Sequence, residues 1–348
     1  KDGTVIDASA YTGQGGAGAE IADQVLDDRV AALFADGSTI VLQALHRNWP
    51  PLVDFAGGLA TELGHPVQVN AYVTPPANRG FDPHYDTHDV FVLQVAGQKR
   101  WRVHEPVVTN PLRRHPWNDH RAAVAERATA EPTIETVLDP GDALYLPRGY
   151  LHSAEALGGV SAHLTVGVHP VTRYAVAEAL LALAAEDTAG DQELRRSLPV
   201  GVDVADPADL AEPTTAATDA VRAWLDTVDP ARLAERLRAT VWPASRPGPV
   251  APLRQAAAAA DVSQHSRFAV RGSLRWRLDG TTDRVLLRLP DRTLDVPAAV
   301  GPALRAVLAG DVTRVADLPG LEPDERVVLA RRLFREAVIV PAPAPPAD

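Results

Sequence analysis

Between residues 67 and 168 the apolar and polar positions alternate in short runs. Val67-Gln-Val-Asn-Ala-Tyr-Val73 has period two, which puts Asn70 and Tyr72 on one face of a strand. Val90-Phe-Val-Leu-Gln-Val95 is β-branched and aromatic, and Lys99-Arg-Trp-Arg-Val103 follows after Ala96-Gly97-Gln98. The glycine-containing break between the two runs predicts a hairpin. Asp139-Pro-Gly-Asp142 predicts a turn into a strand at Ala143-Leu-Tyr-Leu146, which Pro147-Arg-Gly149 closes. Ser161-Ala-His-Leu-Thr-Val-Gly-Val168 alternates again. Short strands punctuated this often predict a sandwich or small barrel.

Beyond residue 170 the period lengthens. Tyr174 to Ala185 is rich in Ala and Leu and predicts a helix, and Thr218 to Thr240 repeats Val221, Leu225, Val228, Leu233 and Leu237 at helical steps. Arg246-Pro-Gly-Pro249 reads as a linker. After it, Arg275 to Leu289 reads as a hairpin around Asp279-Gly280, Val300 to Ala309 and Pro323 to Glu336 as helices, and Ala337 to Val340 as a closing strand. Helix, short loop, helix, strand is a winged-helix pattern. The proline-rich segment 341–346 is expected to be disordered. Three parts result: a mainly β part at 1–170, a helical part at 171–249 and an α+β part at 250–348.

Composition narrows the chemistry. The 348 residues are 46% hydrophobic, enough for real cores, and carry a net charge of −11. That is a poor surface for coating nucleic acid or an anionic membrane. Only 250–348 is slightly basic, and there Asp324, Glu325 and Glu336 offset Arg326, Arg331, Arg332 and Arg335 on one helix. No apolar run is long enough to span a membrane. The first residues lack the apolar stretch of a secretory signal, so the cytoplasm is the expected compartment. Cysteine is absent, which excludes disulfides and thiolate metal sites and leaves His and carboxylate as the metal donors.

Such donors cluster. His84-Tyr85-Asp86 stands just ahead of the strand at Val90, and in extended backbone residues i and i+2 share a side, so His84 and Asp86 can converge on one ion. His152 follows the strand that ends at Pro147. Two imidazoles and a carboxylate with open positions form the facial triad of non-haem Fe(II) oxygenases. His88, His163 and His169 compete for the third position but read as packing or supporting residues, while His104, His115 and His120 read as surface. A dicarboxylate co-substrate would also need a cation. Lys99 is one of only two lysines in a chain that otherwise uses arginine, with Asn70, Tyr72 and Thr165 as hydrogen-bonding companions.

Taken in order, Asn70-Ala-Tyr-Val-Thr-Pro-Pro76, Pro83-His-Tyr-Asp-Thr-His-Asp-Val-Phe-Val-Leu-Gln94, Gly97-Gln-Lys-Arg-Trp-Arg-Val103, Leu138 to Gly149 with His152, and His163-Leu-Thr165 closely resemble the Jumonji-C ribosomal oxygenases, the Cupin-4 group of protein hydroxylases. The resemblance implies a double-stranded β-helix (a cupin or JmjC jelly roll) at 1–170, a helical dimerisation region at 171–249 and a winged-helix domain at 250–348. It implies Fe(II) held by His84, Asp86 and His152. It further implies 2-oxoglutarate held by Lys99 with Asn70, Tyr72 and Thr165, and a His or Arg side chain of a ribosomal protein as substrate. His88 beside the triad is a departure from the family and bears on the substrate residue. Nε-methyl-lysine demethylation would use the same centre, and a DNA-binding regulator with a ligand-sensing cupin is the alternative from another class. Nucleic acid and membrane partners are not expected, and a homodimer is.

Overall fold

The computed structural model describes residues 1, 3–76, 78 and 81–342. It divides into two compact units: residues 1–170 with 247–274 and 302–348, and residues 171–246 with 275–301.

The first unit is organised by a six-stranded antiparallel sheet with the order Ile40–Leu42, Val67–Thr74, Leu151–Val168, Asp89–His104, Ile134–Leu138, in which Ala143–Leu146 also pairs with Asp89–His104. Against it packs the helix Pro50–Leu63. Prolines at its start cost no hydrogen bond, and Gly64 at φ 72° ends it in the left-handed conformation. Its Leu52, Ala56 and Ala60, spaced at i+4, bury against Val67, Val69, Val166 and Val168. A fully buried Leu or Val of this kind is worth about 1.5–3 kcal/mol.

Asp89–His104 is a single strand of 16 residues, so the hairpin expected at 96–98 does not form. Its first half pairs with residues 163–168 and its second with 151–157, and the register slips between Gln94 and Ala96 and again before Gln98. This is a bulge. A glycine flanked by two β-rich runs signals turn and bulge alike, and here one partner strand follows both halves. Gly97 sits at φ 61°, where a Cβ would lie 2.1 Å from the Val160 carbonyl oxygen, so no other residue fits. The slip changes which side chains point inward. Before the bulge the buried positions are Val90, Val92 and Gln94; after it they are Lys99, Trp101 and Val103. An unbroken pleat would have turned Lys99 outward.

The same unit holds the helices Pro252–Ala260 and Pro323–Arg335 and the helix Gly301–Leu308, with a three-stranded sheet ordered Thr313–Arg314, Arg267–Val270, Ile339–Pro341. The buried Gln255 ties two of these elements together, donating to the carbonyls of Phe334 and Ile339 at 2.7 Å each. The proline-rich tail falls, from residue 343, outside the described residues.

In the second unit the helix Arg173–Thr188, capped by Thr172 through the Ala175 N–H, packs against Ala211–Leu225 and Pro230–Val241. Trp224 donates its indole N–H to Asp187 at 2.8 Å, and Arg232 pairs with the same carboxylate. The strands Arg277–Gly280, Arg284–Arg288 and Thr293–Pro297 form an antiparallel sheet. Its first turn falls at 281–283, one step beyond the expected Asp279-Gly280. Among the described residues no helix is long and apolar enough to cross a membrane.

Candidate metal centre and co-substrate cavity

Tyr85 shows how the chain aims its neighbours. Its side chain is 1% exposed and buries in a separate apolar cluster with Val124 and Leu151, its hydroxyl donating to the His115 carbonyl at 2.9 Å. In extended backbone that anchor turns His84 and Asp86 to the opposite side. His84 and His152 then meet in a backbone bridge: each N–H donates to the other's carbonyl, at 3.1 and 2.8 Å. The Gly149 N–H holds the Asp86 carbonyl at 2.9 Å. Gly149 itself adopts φ 90° with its Cα face against the Val108 carbonyl, a place closed to any side chain.

The three side chains bring one donor atom each within 4.8 Å of the others. His152 Nε2 lies 3.7 Å from an Asp86 carboxylate oxygen, and the two imidazole centroids are 4.5 Å apart. Both tautomers are set by the backbone. His84 Nδ1 lies 2.7 Å from the Asp82 carbonyl oxygen and His152 Nδ1 lies 3.1 Å from that of Tyr150. A carbonyl only accepts, so each Nδ1 carries the proton and each Nε2 keeps its lone pair for an ion. Burial, then the neighbouring His84, pushes the His152 pKa down to about 4, so it is neutral and ligand-ready at physiological pH. Two imidazoles and a carboxylate suit a divalent first-row metal, so the donor set fits the ion.

These residues open onto a cavity of about 300 Å³ that also reaches Lys99, Tyr72, Thr165, His163, Trp101 and Phe81. Lys99 is 3% exposed, with its Nζ 3.2 Å from Thr74 Oγ1. Among the described residues no carboxylate lies within ion-pair distance of it. Burial alone lowers its pKa to about 8. A buried ammonium held only by a hydroxyl is costly unless an anion joins it.

The expected companions fall differently. Tyr72 and Thr165 line the cavity, and burial raises the Tyr72 phenol pKa. Asn70 sits opposite Thr165 in the strand register but is not among the lining residues, and its side-chain carbonyl accepts the Ala44 N–H at 3.0 Å. His88 stacks on His169 at 4.7 Å, off the triad. His104 is 4% exposed rather than on the surface, because it closes its strand directly opposite the fully buried Leu151, on the face away from Val103; His115 and His120 are half-buried. Thr74 and Trp101 went unnoticed in the sequence. Thr74 occupies the last position of the Asn70/Tyr72 alternation, which was the available signal.

Fold and site together define a cupin-type jelly roll with a facial metal centre. The family model described as JmjC domain matches residues 58–176. Ribosomal oxygenase 1 of Homo sapiens is 40% identical over 149 residues, 42% of this chain and 23% of that protein. Ribosomal oxygenase 1 of Rattus norvegicus is 35% identical over 175 residues, 48% of this chain and 28% of that protein. The chain thus spans less than a third of the length of these curated relatives. The crystal structure of Escherichia coli ribosomal oxygenase YcfD superposes with a TM-score of 0.53 at 20% identity, covering 87% of this chain and 78% of that one, a likeness of fold. Residues 58–176 match the JmjC domain, and over that stretch the chain is similar to the ribosomal oxygenases.

Proposed function

We propose that the protein is an Fe(II)- and 2-oxoglutarate-dependent oxygenase that hydroxylates a protein side chain, a His or Arg of a ribosomal protein. The observation that carries this is a single cavity joining two imidazoles and a carboxylate to a buried lysine that has no acidic partner among the described residues. His84, Asp86 and His152 would hold the iron and Lys99 the distal carboxylate of 2-oxoglutarate. Iron with 2-oxoglutarate and dioxygen supplies the oxidising power to attack an unactivated C–H bond. The chain's own part is geometry. The Asp82 and Tyr150 carbonyls keep both imidazole protons on Nδ1. Val90, Val92, Trp101 and Leu146 wall the cavity with apolar surface that excludes water. Tyr72 and Thr165 offer hydroxyls along the co-substrate's length, and Asn70 supports them from the adjoining position of the sheet.

We assign residues 1–170 to catalysis, 171–249 to homodimer formation and 250–348 to a winged-helix module for protein docking. Leu181, 65% exposed on the helix Arg173–Thr188, supports the second assignment; apart from the strands at 277–297, the order helix, strand, helix, strand, helix, strand around a three-stranded sheet supports the third. Light scattering giving a monomer at micromolar concentration would remove the dimer alone. The net charge of −11 argues for a protein partner over nucleic acid or an anionic membrane.

The test is mass spectrometry of ribosomal proteins from cells with and without the gene. One peptide should gain a single oxygen atom only when the gene is present. A peptide that instead loses a methyl group would mark a demethylase, and no change in any ribosomal protein would remove the substrate assignment.

A further inference from the structure

We infer that His163 supplies a neutral hydrogen-bond donor to the distal carboxylate of 2-oxoglutarate, beside the Lys99 ammonium; this rests on the 2-oxoglutarate reading above. His163 lies on the strand Leu151–Val168, two residues from Thr165 and in register between Tyr72 on one neighbouring strand and Gln94 on the other. It is nearly fully buried and lines the cavity that contains Lys99 and the three metal-ligating residues.

Its neighbours fix the ring. Tyr72 stacks on it at 5.1 Å with 6° between planes, and Trp101 meets it edge-on at 5.5 Å and 86°. Packing this tight on two sides leaves one edge for the cavity. Nδ1 is enclosed and has no hydrogen-bond partner among the described residues. Burial first, then the charge of Lys99, pushes the ring's pKa down to about 3, so it carries one proton only. A proton on Nδ1 would be an enclosed N–H with no acceptor, and such groups are among the rarest and costliest in folded proteins. The proton therefore belongs on Nε2, and the ring's cavity edge becomes a donor.

Among the described residues that edge has no hydrogen-bond acceptor. Lys99 presents further N–H groups from the same wall; among the described residues its one hydrogen-bond partner is Thr74, with the Trp101 ring 6.0 Å away. A buried wall with donors in excess and, among the described residues, no carboxylate in ion-pair reach of Lys99 calls for an anionic acceptor. A carboxylate satisfies the ammonium and the imidazole at once, with up to four lone-pair sites. A protonated imidazole would add a second positive charge there; the neutral ring gives a directed hydrogen bond without that repulsion.

His163→Phe keeps the stack on Tyr72 and removes the donor. The measurement is calorimetric binding to the Zn(II)-loaded, catalytically silent protein, using 2-oxoglutarate and 2-oxobutyrate, which lacks the distal carboxylate. The variant should bind 2-oxoglutarate at least about tenfold more weakly, since hydrogen bonds to charged groups are worth more than neutral ones. Its affinity for 2-oxobutyrate should match that of the wild type. Equal 2-oxoglutarate affinity in variant and wild type overturns the inference. So does an equal loss for both ligands, which would mean that the ring only shapes the wall. If the zinc-loaded wild type binds no 2-oxoglutarate at all, the reading of the cavity falls and takes the inference with it. His163→Leu repeats the comparison if the Phe variant does not fold, with the same expected pattern.

Discussion

The two ends of the cavity are built in contrasting ways. At the metal end the backbone positions the side chains: His84 and His152 bridge each other through their main chains, Tyr85 anchors the turn between two ligands, and carbonyls set both tautomers. At the lysine end packing does the work. Lys99 is aimed inward by a bulge at Gly97, wrapped in apolar surface and given one hydroxyl partner. The metal end brings its three donors together, whereas the lysine end holds a charge with no carboxylate partner among the described residues. The first should therefore respond to substitution all-or-none, and the second by degrees.

The sharpest break concerns the metal end. His84→Ala, Asp86→Ala or His152→Ala should each abolish iron binding, read by titration of the apo-protein, and turnover with it, because a facial triad has no ligand to spare. If His152→Ala kept both metal and activity, His163 would become the candidate ligand and the backbone bridge would lose its purpose.

Next in size is the lysine itself. Truncating one partner of a buried charge pair costs about 2 to 5 kcal/mol, so Lys99→Ala should weaken 2-oxoglutarate binding at least about thirtyfold while iron still binds. Lys99→Arg should rescue only part of this, since a planar fork does not fit a space shaped for a compact ammonium. An unchanged Michaelis constant in Lys99→Ala would move the anchor to an arginine, with Arg100 or Arg102 the neighbours to try, although both face glutamates on the opposite side of the strand.

The same contrast explains what could be read in advance. His84, Asp86 and His152 were legible because the spacing i, i+2 in extended backbone and a distal His after a turn are local features. The strands at 67–74 and 143–146 and the helices at 173–188 and 323–335 were equally local. Lys99 was found by rarity and resemblance, but the route that turns it inward was misread, because a glycine break looks the same whether the chain reverses or bulges. His104 was assigned to the surface because its burial comes from its cross-strand neighbour Leu151, which local sequence does not show. Thr74 was overlooked and His163 was weighed only as a competing ligand or supporting residue, because what places them is the strand opposite, and cross-strand register is tertiary information.

A smaller effect separates the ends by pH. Burial holds the unliganded Lys99 pKa at about 8, and a bound carboxylate would raise it. Binding above that pKa must therefore take up a proton, so 2-oxoglutarate affinity should be flat below pH 8 and fall above it, by about tenfold between pH 7 and pH 9. His152 and His163, held near 4 and 3, stay neutral throughout this window and add no slope. Affinity measured by calorimetry on the Zn(II)-loaded protein that stayed level to pH 10 would show that Lys99 keeps its charge unaided.

The smallest effect belongs to Thr74, which accepts from Lys99 Nζ at 3.2 Å and meets Thr39 at 3.4 Å. Thr74→Val keeps the side chain's shape in a fully buried position and removes the one oxygen that stabilises the ammonium. A hydrogen bond of this kind is worth about 1 kcal/mol, so affinity near neutral pH should drop only a few-fold. The informative quantity is the midpoint of the pH profile. Losing an acceptor favours the uncharged amine, so the fall in affinity should begin below pH 8 rather than at it. A few-fold loss with the midpoint unmoved would mean that the Thr74 hydroxyl acts on the co-substrate directly. A shifted midpoint means that it acts through Lys99, and that the lysine end of the cavity is tuned one neighbour at a time.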